Sequence, residues 1–315
     1  MAERVGDELT YMSRANVARA LPPVEDQIDL VERVYRAMAA GRVELPPKPG
    51  IHPRADSFIH AMPAYLADDD VAAIKWISGY PMNKNRGLPY ISGLIVLNDP
   101  ETGQPQCVMD GAEITAQRTA AASGVCVRHF APIDWHTVAL LGCGEQGRCH
   151  LRVLSALNPA ARFRAYDPDP ERAAGLPGRV TPVATPEEAL EEADIVVTAG
   201  PILTSPEPVI TPAWLADSYL ALPLDFDSYV HAEAVQDADL FLVDDAGQFE
   251  YYRSLGHFQR WPEPVASVGE ALQGTRTSAR RVVCCNLGVA AVDAAFAHAV
   301  RVAAKDDGEL VHLPR

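Results

Sequence analysis

The chain has no apolar run approaching the ~18 residues that a membrane span requires. Its first residues, Met-Ala-Glu-Arg-Val-Gly-Asp-Glu, lack the apolar core of a signal peptide, so the expectation is a cytoplasmic protein. Positive charge is scarce as well. Against 42 Asp and Glu stand 27 Lys and Arg, a formal net charge of −15. That balance speaks against a nucleic acid or an anionic membrane surface as partner, because both need basic patches. It leaves room for a local cationic pocket around an anionic substrate. The six cysteines (Cys107, Cys126, Cys143, Cys149, Cys284 and Cys285) form no C-x-x-C, and the nine histidines show no H-E-x-x-H spacing. Reduced thiols are therefore expected, with neither a disulfide framework nor a metal site. Repeats and low-complexity tracts are missing too.

What is present suits a soluble globular protein: 315 residues, 48% hydrophobic, enough for two domains. The most informative stretch is Val138-Ala-Leu-Leu-Gly142-Cys143-Gly144-Glu145-Gln146-Gly147. An apolar strand-like run enters G-x-G-x-x-G, and Leu151, Leu154 and Leu157 follow at helical spacing. The first Gly permits the turn, the second lets a pyrophosphate approach the backbone, and the third lets helix and strand pack closely. The helix start offers free N–H groups and the positive end of the dipole to phosphate. A second strand, Arg162–Tyr166, ends at Asp167, 25 residues beyond Gly142. A carboxylate there accepts hydrogen bonds from ribose hydroxyls and repels a 2′-phosphate, which predicts NAD(H) over NADP(H). Glu145 is awkward in a phosphate loop unless its side chain faces solvent.

From His136 onward strands and helices alternate, with strands expected at 137–141, 162–166, 193–199, 218–222 and 239–243, as a parallel sheet requires. Thr185-Pro-Glu-Glu reads as a helix start. Before it the chain is strand-rich. A helix over 23–38, capped near Gly41, precedes strand-like runs at 57–62, 71–78, 92–97 and 105–109, and a helix over 115–130 ends at Pro132. The apolar stripe Ala291, Val292, Ala295, Phe296, Ala299, Val300 and Ala303 predicts a final helix. It is expected to pack back on the N-terminal domain, which the periodicity itself does not show. The expected architecture is α/β: a Rossmann-type doubly wound nucleotide domain over 131–285, and a strand-rich α+β substrate and dimerisation domain over 1–130 with 286–315.

Several motifs occur together: Gly87-Leu-Pro-Tyr-Ile-Ser-Gly93, Met109-Asp-Gly-Ala-Glu-Ile-Thr-Ala-Gln-Arg-Thr-Ala-Ala-Ala-Ser123, the glycine loop, Ala193-Asp-Ile-Val-Val-Thr198 and Gly288-Val-Ala-Ala-Val-Asp293. In this order they resemble the ornithine cyclodeaminase / mu-crystallin family, over about residues 20–305. The resemblance implies an NAD(P)-dependent enzyme, usually a homodimer formed through the strand-rich domain, acting at the C–N bond of an amino or imino acid. It implies an active site in the cleft between the two domains, and a cofactor site comprising Gly142, Gly144, Glu145, Gln146, Gly147, Asp167 and Thr198. By the same resemblance Arg54 and Arg118 clamp the substrate carboxylate, a task suited to the planar guanidinium. Lys75, inside the apolar run Ala-Ile-Lys75-Trp-Ile, is implied as a proton-transfer group, since burial lowers a lysine's pKa. Strand alternation equally allows Lys75 on the solvent face of an edge strand. Asp225 is implied as the catalytic acid, with Asp227 as the alternative.

Two departures point away from ornithine as substrate. Tyr90 stands where a small Thr commonly touches the substrate, and Asp225 is followed by Phe226-Asp227-Ser228-Tyr229 rather than a Pro-Gly-Lys-x-Glu-like segment. The expected activity is an NAD(H)-dependent imine reductase or amino-acid dehydrogenase. The alternatives are a cyclodeaminase with internally recycled NAD and a catalytically silent dinucleotide-binding protein. Lys84 and Arg86 could serve a second substrate carboxylate or simply solvate a loop.

Overall fold

The computed structural model describes residues 8–274, 278–304 and 308–312. The chain divides into two compact units, Met1–Arg118 with Val289–Arg315, and Thr119–Gly288. The division falls inside the helix Gly111–Phe130, upstream of the expected boundary at 130, and at 288 rather than 285.

In the first unit, four strands form an antiparallel meander: Phe58–Leu66, Val71–Gly79, Ile91–Asn98 and Pro105–Asp110. Glu8–Met12 joins the last of these in parallel, and Glu309–His312 pairs with Glu8–Met12 antiparallel; neither strand was expected from the sequence. The first meander strand runs past the expected residue 62, through Pro63 to Leu66. Its outer edge is covered in two pieces, by Gly50–Ile51 opposite residues 59–60 and by Val43–Glu44 opposite residues 65–66. Pro63 sits in the gap between them, where no ladder N–H is needed.

Alternation then sorts the side chains. Met62, Ala64, Val71, Ala73, Ile77, Ile95 and Leu97 are buried, on the sheet over which the helix Ala290–Ala303 packs; the helix Val24–Ala39 packs in turn on Ala290–Ala303. Lys75 shares parity with Ala73 and Ile77, so it lies on this buried face of a central strand, not on an exposed edge. The opposite face carries Trp76, 52% exposed and in register with Ala61 and Leu94, the latter 44% exposed.

The second unit is an eight-stranded, wholly parallel sheet. Its order is Val180–Pro182, Arg162–Tyr166, Thr137–Leu141, Ile195–Thr198, Tyr219–Pro223, Arg281–Cys285, Leu240–Val243 and Ala266–Ser267. The strand Arg281–Cys285, unforeseen in the sequence, inserts between two earlier strands. The topology is doubly wound, with the order reversing on either side of Thr137–Leu141. The turn that follows this strand is built as its glycines require. Gly142 has φ +98°, and a Cβ there would lie 2.6 Å from the Ala199 carbonyl oxygen. A Cβ on Gly147 would lie 2.2 Å from the Gly142 carbonyl oxygen, whereas Gly144 faces open space.

These contacts predict that Gly147→Ala lowers the thermal midpoint by several degrees, because the helix start must shift away from the strand end. Gly144→Ala is expected to leave it within about one degree. Differential scanning calorimetry of the pair checks this, and equal midpoints would contradict it.

Candidate functional site

The first unit buries charge in an apolar setting. Asp293, in the first turn of the helix Ala290–Ala303, is 1% exposed. Lys75 Nζ lies 2.6 Å from its Oδ2, and Arg118 Nε donates to its Oδ1 at 2.9 Å. Lys75 Nζ also donates a long hydrogen bond, 3.4 Å, to Thr115 Oγ1, one turn before Arg118 on the same helix. Burial lowers the Lys75 pKa from 10.5 to about 7; Asp293 works against that fall, and the positive charges of Arg118 and Lys48 work with it. A buried ammonium so poised gains or loses a proton near neutrality.

Lys48 and His60 belong to the same environment, and sequence reasoning missed both. Lys48, only 6% exposed, stands in the loop before Gly50–Ile51, and His60 faces inward from the Phe58–Leu66 strand. Burial first, then Lys48, His52 and Lys75, hold the His60 imidazole at about 3, so it is neutral at physiological pH. The inward parity of His60 was a readable signal. Lys48, in a proline-rich loop, gave none.

Arg54, expected as the first carboxylate clamp, is not part of this group. It is exposed in a turn closed by Ser57, and its Nη1 donates to the Pro53 carbonyl at 2.6 Å. The proline-rich loop that carries Lys48 inward leaves Arg54 outside. Tyr90 is half-buried at the foot of a hairpin, its carbonyl accepting the Tyr80 N–H. Lys84 and Arg86 are exposed in the turn Pro81–Arg86.

In the second unit, the carboxyl ends of the strands carry the other expected residues. Asp225 is fully buried just beyond Tyr219–Pro223. Its Oδ1 accepts the Thr198 hydroxyl at 2.7 Å, and its Oδ2 accepts the Gly200 N–H at 2.9 Å. Burial nevertheless raises its pKa from 3.8 to about 7, the two hydrogen bonds opposing the rise. Asp227 is occupied elsewhere, accepting the Phe258 N–H at 2.7 Å and lying 3.1 Å from His257 Nδ1.

The glycine loop is tied down on the neighbouring strand end. Gly142 donates to the Tyr166 carbonyl at 2.8 Å, and Asp167 accepts the Cys143 N–H at 2.8 Å and the Asp169 N–H at 2.9 Å. Below it, His150 lies 2.8 Å from the Gln146 carbonyl and 2.9 Å from Ser123 Oγ, and burial lowers its pKa to about 4. This neutral imidazole is a clasp between two helices. Glu145 is exposed, which removes the difficulty of a carboxylate in the loop. Gln146 Oε1 is buried with no hydrogen-bond partner among the described residues. An uncapped helix start at Gly144 open to approach, glycines where side chains would collide, and this orphaned oxygen together fit a dinucleotide. No group of three or more metal-ligating side chains occurs among the described residues, and no helix among them is long and apolar enough to cross a membrane.

Residues 10–308 match the model of the ornithine cyclodeaminase/mu-crystallin family. The chain belongs to this family. Among similar proteins, the nodulation efficiency protein NfeD of Rhizobium meliloti is 37% identical over 302 residues, covering 92% of this chain and 93% of that protein. Among solved structures, the Δ1-pyrroline-2-carboxylate reductase of Thermococcus litoralis, in complex with NADH and L-proline, is 26% identical at a TM-score of 0.83, covering 96% of this chain and all of that one. An archaeal alanine dehydrogenase dimer with bound NAD is 25% identical at a TM-score of 0.82, covering 96% and 99%.

The raised pKa of Asp225 has a signed consequence for stability. The unfolded carboxyl ionises near 3.8 while the folded one keeps its proton to about 7, so folding is progressively disfavoured between pH 4 and 7 and the cost is constant above. Over that span the cost approaches ~4 kcal/mol. Asp225→Asn, which can still donate to Thr198 Oγ1 and accept from Gly200, should match wild type near pH 4 and be more stable by several degrees at pH 8. Thermal midpoints measured across that range check the prediction; a pH-independent difference would refute it.

Proposed function

We propose that this protein is an NAD(H)-dependent oxidoreductase acting on the C–N bond of an α-amino or α-imino carboxylic acid. The observation that carries the reading is the buried set Lys75, Asp293 and Arg118, two cations on one carboxylate in an apolar interior. Burying such a set carries a desolvation cost, and a binding or proton-transfer task is a reason for a protein to keep it. An excess of buried positive charge suits an anionic substrate, and Arg118, with Lys48 nearby in charge, supplies the means to hold a carboxylate.

The glycine loop would hold the dinucleotide, which would supply the hydride chemistry. Gly142, Gly144 and Gly147 shape its site, Gln146 and Thr198 line it, and Asp167 favours NAD(H) by taking ribose hydroxyls. Reduction of a C=N bond also consumes one proton, and two groups hold one near neutrality. Lys75 carries it on Nζ, steadied by Asp293, and Asp225 carries it on a carboxyl oriented by Thr198 and Gly200. Arrival of a substrate carboxylate beside Lys75 favours the ammonium, so binding itself recruits a proton. The relatives that act on pyrroline-2-carboxylate and on alanine support this substrate class.

Purified protein should oxidise NADH steadily with a 2-oxo acid plus ammonia or methylamine, or with a preformed cyclic imino acid. Lys75→Met and Arg118→Ala should each lower kcat/KM by at least ~10³-fold, while NADH binding persists. Proline and ammonia formed from L-ornithine without net NADH change would make the protein a cyclodeaminase instead. Tight NADH binding with neither activity would make it a silent binder.

We further propose a homodimer, in line with the dimeric alanine dehydrogenase, formed through the outward sheet face that carries Trp76 and Leu94. An apolar face of this kind signals an interaction surface. Trp76→Glu should convert the dimer to a monomer in light scattering; an unchanged dimer would place the interface elsewhere.

A further inference from the structure

Tyr229 has no part in the chemistry above, yet its position is closely determined. The loop that bears it is pinned from both sides. Its carbonyl accepts the N–H groups of Val209 at 3.0 Å and Ile210 at 2.9 Å, and Ser228 Oγ accepts the Leu203 N–H at 3.0 Å. Upstream, Phe226 adopts φ +59°, and its buried ring packs against Tyr252, His257 and Phe258. A non-glycine residue held in the left-handed region marks a loop whose surroundings dictate its path.

With the backbone so held, the Tyr229 ring lies over Gly200. A Cβ at Gly200 would fall 2.3 Å from the ring and 2.7 Å from the hydroxyl oxygen. The Gly200 peptide in turn abuts the first glycine of the loop: a Cβ at Gly142 would lie 3.2 Å from the Gly200 nitrogen. Gly142, Gly200 and the phenol therefore form one continuous surface where the strand order reverses, between Thr137–Leu141 and Ile195–Thr198. Ligands of open α/β sheets occupy this crevice. The phenol is half-buried, with Asp225 and Asp167 both close enough to act on it electrostatically. Burial and those two carboxylates raise its pKa, so the hydroxyl keeps its proton and serves as a donor.

We propose that Tyr229 is a dinucleotide-contact residue, its ring forming the wall of the crevice beside Gly200 and its hydroxyl donating to a ribose or phosphate oxygen. The proposal rests on the dinucleotide reading of the glycine loop. It assigns a role in cofactor binding to the segment after Asp225, the segment in which this chain departs from the Pro-Gly-Lys-x-Glu-like pattern.

The test is NADH affinity, followed by fluorescence titration of the full-length protein and paired with thermal midpoints. Tyr229→Phe, which removes one hydrogen bond, should raise Kd by about 5-fold. Tyr229→Ala should raise it by at least about 20-fold, with midpoints near wild type. Gly200→Ala should weaken binding strongly beside the native tyrosine and only slightly in the Tyr229→Ala background, where nothing remains for the new methyl to displace. If wild type binds NADH and both Tyr229 variants bind it within two-fold, the contact is refuted and the dinucleotide site stands. If wild type fails to bind NADH or NADPH at all, the dinucleotide reading falls and the proposal with it.

Discussion

Asp293, held between Lys75 and Arg118, is the interaction on which the first unit depends. Without that carboxylate, two cations would face each other in an apolar interior, a situation that costs several kcal/mol. The three residues come from a strand, an internal helix and the C-terminal helix, so one ion-paired group joins the chain's beginning, middle and end. Two cations on one anion leave room for a second anion. The same arrangement that closes the fold thus carries the anion site proposed above.

The second unit shows a complementary case. Among its buried titratable groups is an acid, Asp225, kept in place by a hydroxyl and a backbone N–H. With no positive partner among the described residues to stabilise its charge, burial dominates and the carboxyl retains its proton toward neutrality. The two units therefore reach similar proton affinity from opposite directions, a base brought down and an acid brought up. In both, the shift is the cost of burial expressed as a changed proton affinity.

How much of this was legible in the sequence depended on whether the signal was local. The glycine loop, the strands at 137–141 and 162–166, and Asp167 lie within one short stretch, and the structure has strands over those same residues. Lys75 stood out because a lysine in an apolar alternating run is conspicuous, but only the neighbouring strands decide which face it occupies. Asp293 appeared merely as part of a closing motif; its partner Arg118 is 175 residues away, beyond any periodicity. Arg54, exposed, and Lys48, buried, mark the opposite limit. Both lie in irregular chain between short strands, where no pattern dictates which side chain turns inward. The strand Arg281–Cys285 is a short apolar run like the others, yet its place between two earlier strands is a property of topology alone.

The tether between Asp167 and the Cys143 N–H has a consequence for the energetics of ligand capture. The glycine turn, the proposed dinucleotide site, is already fastened to the adjacent strand end, through Gly142 as well as Cys143, before any ligand arrives. Ordering that turn is thus a cost met when the chain folds, not when it meets its ligand. Damage to the tether would accordingly register first as a looser native state and only second as weaker recognition. Affinity in this unit is in that sense stored conformational order.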